Sequence, residues 1–139
     1  MKNKKIIITG GAGYIGCHVV EELIKSNYQV TVIDRLSFDA NSLDSIKDHK
    51  NLTIVKEDIR NVNNLQTHFE GSEAIIHLAA LVGEAACNIS ESDSISINYD
   101  VKETLRYITI MTITLGLPFS NFRVNYSIVS KVSIYVIFY

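Results

Sequence analysis

Cysteine is scarce in this chain: Cys17 and Cys87 are the only two. Two thiols are too few for a disulfide framework, which points to a reducing, cytoplasmic setting. Each thiol then reads as a small buried apolar side chain. A surplus of either charge is also missing. With 13 Lys/Arg against 15 Asp/Glu the formal net charge is −2, so neither nucleic acid nor an anionic membrane surface is expected as a partner. Long apolar runs are absent as well. The longest uncharged stretch, residues 107–122, includes Pro118 and several threonines and is shorter than the roughly 18 residues of a membrane-spanning helix.

Other absences narrow the reading further. The opening "MKNKKIIITGGAGYIGC" has the outline of an exported lipoprotein's leader, but Gly10, Gly11 and Gly13 interrupt its apolar part, so no export signal is expected. His18, His49 and His68 show no metal-ligand spacing, and His77 in "HLAA" reads as a hydrogen-bonded strand residue. There is no internal repeat and no low-complexity linker. What remains, 47% apolar and 20% charged residues in 139, is the composition of a single globular domain.

Patterning then supplies the architecture. "KKIIITGG" is a short β-branched run ending in glycines, and reads as a buried strand. In "YIGCHVVEELIKSNY", Ile15, Val19 and Leu23 recur at helical spacing, giving one apolar face. "QVTVID" predicts a second strand and "SFDANSLDSIKDHK" a polar loop with a short helix. "NLTIVKEDI" predicts a third strand, "NVNNLQTHFEG" a weak helix ended by Gly71, and "EAIIHLAA" a fourth strand. "ESDSISINYDVKETLRYI" predicts a helix with Ser90 or Ser92 as N-cap. Strands alternating with helices imply parallel strands joined by crossovers, hence an α/β, doubly wound, Rossmann-type parallel sheet.

The turn after the first strand carries the chemistry. "ITGGAGYIG" contains Gly11-x-Gly13-x-x-Gly16 and also Gly10-x-x-Gly13-x-x-Gly16. It follows a strand and opens an amphipathic helix, the context that turns a weak motif into a dinucleotide-binding one. Glycine serves three purposes there: a tight turn, close approach of backbone to a pyrophosphate, and close packing of helix on strand. The amides at the helix start, including those of Tyr14 and Ile15, then face the anion along the helix dipole. Asp34 ends the second strand, where a carboxylate accepts hydrogen bonds from the ribose hydroxyls and repels a 2′-phosphate. NAD is therefore expected over NADP, with the neighbouring Arg35 as the complication.

Taken together, "TGGAGYIG" at 9–16, "VID" at 32–34, "EDI" at 57–59 and "HLAA" at 77–80 resemble the extended short-chain dehydrogenase/reductases. Within them the chain is similar to the NAD-dependent epimerase/dehydratase family acting on nucleotide sugars, which includes the UDP-glucose 4-epimerases. The likeness covers about residues 4–105, the N-terminal portion of such an enzyme. It implies that Gly10, Gly13 and Gly16 form the pyrophosphate turn and that Asp34 is the ribose-binding acid. It also implies that Asp58 accepts from the adenine amino group while Ile59 walls the ring. Leu78, Ala79 and Ala80 would run beneath the nicotinamide-side ribose, and Asn98 would help order the site. A nucleotide-sugar substrate is implied only for a complete homologue. One departure is already visible, because Val101-Lys102 stand where the family usually has Gly-Thr.

The family's hydride chemistry needs a Ser or Thr, a Tyr and a Lys, with the last two as Tyr-x-x-x-Lys on one helix. No such spacing occurs anywhere in the chain. Tyr126 and Lys131 in "YSIVSK" are five apart, which at about 100° per residue puts them roughly 140° apart around a helix. "NYSIVSKVSIYVI" is also β-branched and a poor helix former. Ser120 is at most a remnant of the family's serine strand, so no catalytic residue is assigned. Residues 106–139 hold Arg106, Arg123 and Lys131 but no acid, and close on the β-prone "VSIYVIFY". The expected division is a 1–105 cofactor unit and a divergent 106–139 tail, which is either poorly ordered or supplies one or two further strands. Three readings stand: an NAD-binding part of an epimerase/dehydratase-like protein that is inactive alone, a non-catalytic NAD-binding regulatory module, or an unstable product of truncation or frameshift. Composition favours the last.

Overall fold

A computed structural model describes residues 4–37, 41–83, 87–88 and 90–100, with the backbone of 124–125 and 135–138. Its centre is the strand β1 (Lys5–Thr9), flanked in parallel by β2 (Gln29–Asp34) and β4 (Ala74–His77), with β3 (Leu52–Lys56) parallel to β2. The helices are α1 (Tyr14–Lys25), α2 (Val62–Phe69) and α3 (Glu91–Ile95), the last running into a π-helical turn, Ser96–Asp100. The parallel order β3-β2-β1-β4 is that of a doubly wound sheet.

Strand side chains alternate between two cores. Ile6, Ile8, Val30 and Val32 pack with Val20 and Ile24 of α1, while Ile7, Ile33 and Ile75 pack with Leu65 and Phe69 of α2 and Ile97 of the π turn. Helices thus cover both faces, which is why the strands read as continuous apolar runs. Lys5 ties the second layer down: its ammonium donates to the carbonyls of His68 (2.8 Å) and Glu70 (3.1 Å) at the end of α2. These carbonyls have no helical donor left and carry the negative end of the helix dipole.

Several boundaries differ from the sequence expectation for local reasons. Helix α1 stops at Lys25 because Asn27 turns left-handed (φ 65°) and Tyr28 N–H closes back on Leu23 O at 3.0 Å. The segment after β2 forms no helix; it is a series of turns, with Asp44 N–H on Asn41 O and Ile46 N–H on Leu43 O, that buries Leu43. β3 ends at Lys56, so Asp58 and Ile59 lie just past it. Ser90 is the N-cap of α3, its hydroxyl accepting from Asp93 N–H at 3.1 Å, and the expected helix continues in a π turn as far as the described residues reach.

The tail adds two short strands, β5 (Val124–Asn125) and β6 (Tyr135–Phe138). β6 pairs antiparallel with β4, Ala74 opposite Phe138 and His77 opposite Tyr135, and β5 pairs antiparallel with β6. This agrees with the β-prone reading of "VSIYVIFY". "YITIMTITLGL", "YSIVSK" beyond its start and Ser120 lie outside the described residues. No helix among the described residues is long and apolar enough to cross a membrane.

Leu65 is fully buried, so Leu65→Ala is expected to destabilise the chain by about 2–5 kcal/mol through lost transfer energy and a residual cavity. Urea denaturation checks this, with exposed Lys47→Ala expected to stay within about 0.5 kcal/mol of the parent.

Candidate functional site

β1 and β4 end side by side, Thr9 opposite His77, and their continuations part. β1 runs into the glycine turn and crosses to β2 on one side, whereas β4 lies on the other. That divergence is the switch point of a doubly wound sheet, where ligands sit at the carboxyl ends of the strands.

Two glycines there are required by space. Gly10 has φ +74°, and a Cβ on it would lie 2.5 Å from Ala79 N and 2.7 Å from the Leu78 carbonyl carbon. A Cβ on Gly16 would overlap the Gly10 carbonyl oxygen and reach Gly11 Cα at 2.7 Å. All these neighbours are backbone and cannot swing aside. The turn is closed by Gly10 N–H on Ile33 O (2.9 Å) and Gly13 N–H on Gly10 O (3.1 Å). Gly13 is the N-cap of α1 and offers no side chain to it. The first helical bond runs from Cys17 N–H to Gly13 O (3.0 Å), which leaves the amides of Tyr14, Ile15 and Gly16 without helical acceptors. Tyr14 is exposed and Ile15 half so, and the amides carry the positive end of the helix dipole.

Asp34 reaches across to this turn. One carboxylate oxygen accepts from Ala12 N–H at 3.0 Å and the other from Leu36 N–H at 2.8 Å. Ser42 adds a bond from its hydroxyl to Ala12 O at 2.7 Å. A carboxylate has about four acceptor positions, so Asp34 can hold the turn and still accept from a ligand hydroxyl. This second duty of Asp34, and the part of Ser42, were not legible in the sequence. Ser42 sits in a polar loop with no pattern to single it out.

Asp58 is more committed. Arg60 donates to it through Nε (3.0 and 3.1 Å), Nη2 (2.7 Å) and its backbone N–H (2.9 Å). Arg35 Nη1 lies 3.5 Å from the same carboxylate, and Arg60 Nη1 continues to Asp93 at 2.7 Å. The hydrogen bonds from Arg60 hold the Asp58 carboxyl below its ordinary value against the opposing effect of partial burial, and Arg35 adds to them. The same partners, Asp58 first and then Asp93, push the Arg60 guanidinium upward. Glu57 beside them is also lowered, chiefly by the Asn61 side chain, then by Asp58 N–H and Asn64. Ile59 is a core residue, 3% exposed among Ile7, Ile33 and Leu65.

On the β4 side, Leu78 and Ala79 are half-buried and Ala80 is exposed. The Asn98 side chain brackets the next residue: its Oδ1 accepts from Leu81 N–H and its Nδ2 donates to Leu81 O, both at 2.8 Å. His77 is buried with Nδ1 2.6 Å from Thr9 Oγ1, so it ties strand ends together as the sequence suggested. No cluster of metal-ligating side chains occurs among the described residues.

An open sheet with a glycine cradle, an acid at the end of β2 and unpaired helix amides at the switch point defines a dinucleotide-binding α/β protein. The chain matches the NAD dependent epimerase/dehydratase family over residues 6–110, and belongs to it. It is 40% identical over 87 residues to a UDP-glucose 4-epimerase of Bacillus subtilis (strain 168), covering 58% of this chain and 26% of that protein. Among solved structures it is similar to a UDP-N-acetylglucosamine 4-epimerase from Methanobrevibacter ruminantium M1 in complex with UDP-N-acetylmuramic acid, at 34% identity and TM-score 0.67, covering 77% of this chain and 34% of that one. It is also similar to DesIV, a dTDP-glucose 4,6-dehydratase from Streptomyces venezuelae with NAD and TYD bound, at 28% identity and TM-score 0.69, covering 81% and 36%. The chain therefore spans about a third or less of the length of these relatives.

Three outcomes check the site. Gly16→Ala is expected to destabilise the fold by at least about 1–3 kcal/mol because backbone must move, whereas Gly71→Ala, in open space at φ +70°, should cost about 1–2 kcal/mol by its dihedral alone. Thermal denaturation compares them. Asn98→Ala should speed hydrogen exchange at the Leu81 amide while leaving core strands protected. For Asp58 the folded pKa is depressed, so its contribution is present above the ordinary carboxylate value of about 4 and disappears as pH falls through the folded value. Urea midpoints of the parent should therefore drop more steeply below about pH 4 than those of Asp58→Asn.

Proposed function

We propose that residues 1–105 bind NAD across the ends of β1 and β4, as the cofactor-binding part of a nucleotide-sugar epimerase/dehydratase-like protein. The observation that carries this is the backbone contact of Gly10 with Ala79 and of Gly16 with Gly10, a cradle that any side chain would fill. In this reading the pyrophosphate lies against the amides of Tyr14, Ile15 and Gly16. Asp34 accepts from the adenosine ribose, Asp58 and Ile59 border the adenine, and Leu78, Ala79 and Ala80 line the nicotinamide side, with Asn98 holding Leu81 in place. When bound, NAD supplies reversible hydride acceptance.

The 139 residues hold no Tyr-x-x-x-Lys, so the acid/base pair of the family's chemistry is lacking within them. A tyrosine with an unperturbed pKa of about 10 needs a lysine on its own helix face to act near neutrality. We therefore assign residues 106–139 to a divergent tail and the chain to binding without turnover.

Isothermal titration of the 139-residue chain with NAD is expected to give saturable binding, accompanied by a rise in melting temperature. A cooperatively melting chain that takes up neither NAD nor NADP at millimolar concentration would overturn the reading. UDP-glucose and NAD incubated with the chain should yield no UDP-galactose, and turnover above a no-protein control would refute the binding-only assignment.

A further inference from the structure

We propose that Asp58 is a specificity-determining residue that selects NAD over NADP by holding Arg35 away from the ribose 2′ position; this rests on the dinucleotide reading above. Arg35 follows directly on Asp34, the acid placed at the ribose, and its side chain is 41% exposed. A guanidinium so placed is the group that ordinarily receives a 2′-phosphate, because its forked donors match phosphate oxygens. In this chain Arg35 is turned the other way. Nη1 lies 3.5 Å from Asp58 Oδ2 and Nε donates to Ser37 Oγ at 3.3 Å.

The geometry assigns the two arginines different dependence on Asp58. Arg60 is held twice, by Asp58 and, through Nη1, by Asp93 at 2.7 Å, so it stays anchored if Asp58 is neutralised. The carboxylate that Arg35 reaches is Asp58. Loss of the Asp58 charge therefore releases Arg35 selectively, next to the position where NADP carries its extra phosphate. Asp34 still disfavours that phosphate by like-charge repulsion, so two acids act in sequence: one repels the 2′-phosphate and the other occupies the cation that would attract it.

Titration calorimetry with NAD and NADP on the parent, Asp58→Asn, Arg35→Gln and the double variant tests this. Asp58→Asn should tighten NADP binding about tenfold, the scale of one charge-assisted hydrogen bond, and change NAD binding much less. The gain should vanish in the double variant. Arg35→Gln alone, at an exposed side chain, should leave NADP affinity within about twofold, since Arg35 is already occupied. The inference is overturned if Asp58→Asn leaves NADP binding unchanged or weakens it, or if the gain persists without Arg35, which would mean simple charge removal. It also falls if Arg35→Gln alone weakens NADP severalfold, a result that holds even if Asp58→Asn does not fold. A parent that binds neither dinucleotide overturns the underlying reading as well, and is told apart because the variants are then never compared.

Discussion

The fold is organised around one steric constraint: the start of α1 lies directly on the carbonyl of Gly10, with no side chain between them. That contact fixes the angle at which α1 leaves β1, and so where Val20 and Ile24 meet Val30 and Val32. The same turn presses Gly10 against the chain leaving β4, so the spacing of β1 and β4 beyond their last pair depends on it too. A methyl group at either glycine would separate elements whose packing forms both the core and the rim of the site. Stability and binding geometry here share a cause.

Around that contact, polar side chains hold backbone in place. Asp34 grips the turn through Ala12 N–H, Ser42 takes the Ala12 carbonyl, and Asn98 engages both polar groups of Leu81. Each joins segments far apart in the chain and leaves the strand ends open. Such cross-links stiffen a rim that lacks regular hydrogen bonding of its own, which suits a surface on which a long, flexible dinucleotide must be ordered.

Much of this was readable in the residues. The four parallel strands follow from apolar runs punctuated by Gly10, Asn27 and Gly71, and the glycine turn has a strand before it and a helix after it. What escaped was long-range. Nothing local marks Ser42 as a partner of Ala12, or Arg60 as the bridge from Asp58 to Asp93, because these depend on where crossovers bring loops together. The short helix expected before β3 fails because only Leu43 is pulled into the core, and one inward apolar residue is met as well by a turn. The π turn at 96–100 was likewise hidden, since helical spacing does not reveal one added residue.

β6 has a consequence of its own. An edge strand has one outward row of amides and carbonyls, and β6 engages that row along the whole of β4, from Ala74 to His77. A strand of either direction seeking the same row must compete for it. The antiparallel tail and a parallel neighbour at β4 are thus mutually exclusive partners, and the sheet can grow past β4 only by exchanging one for the other.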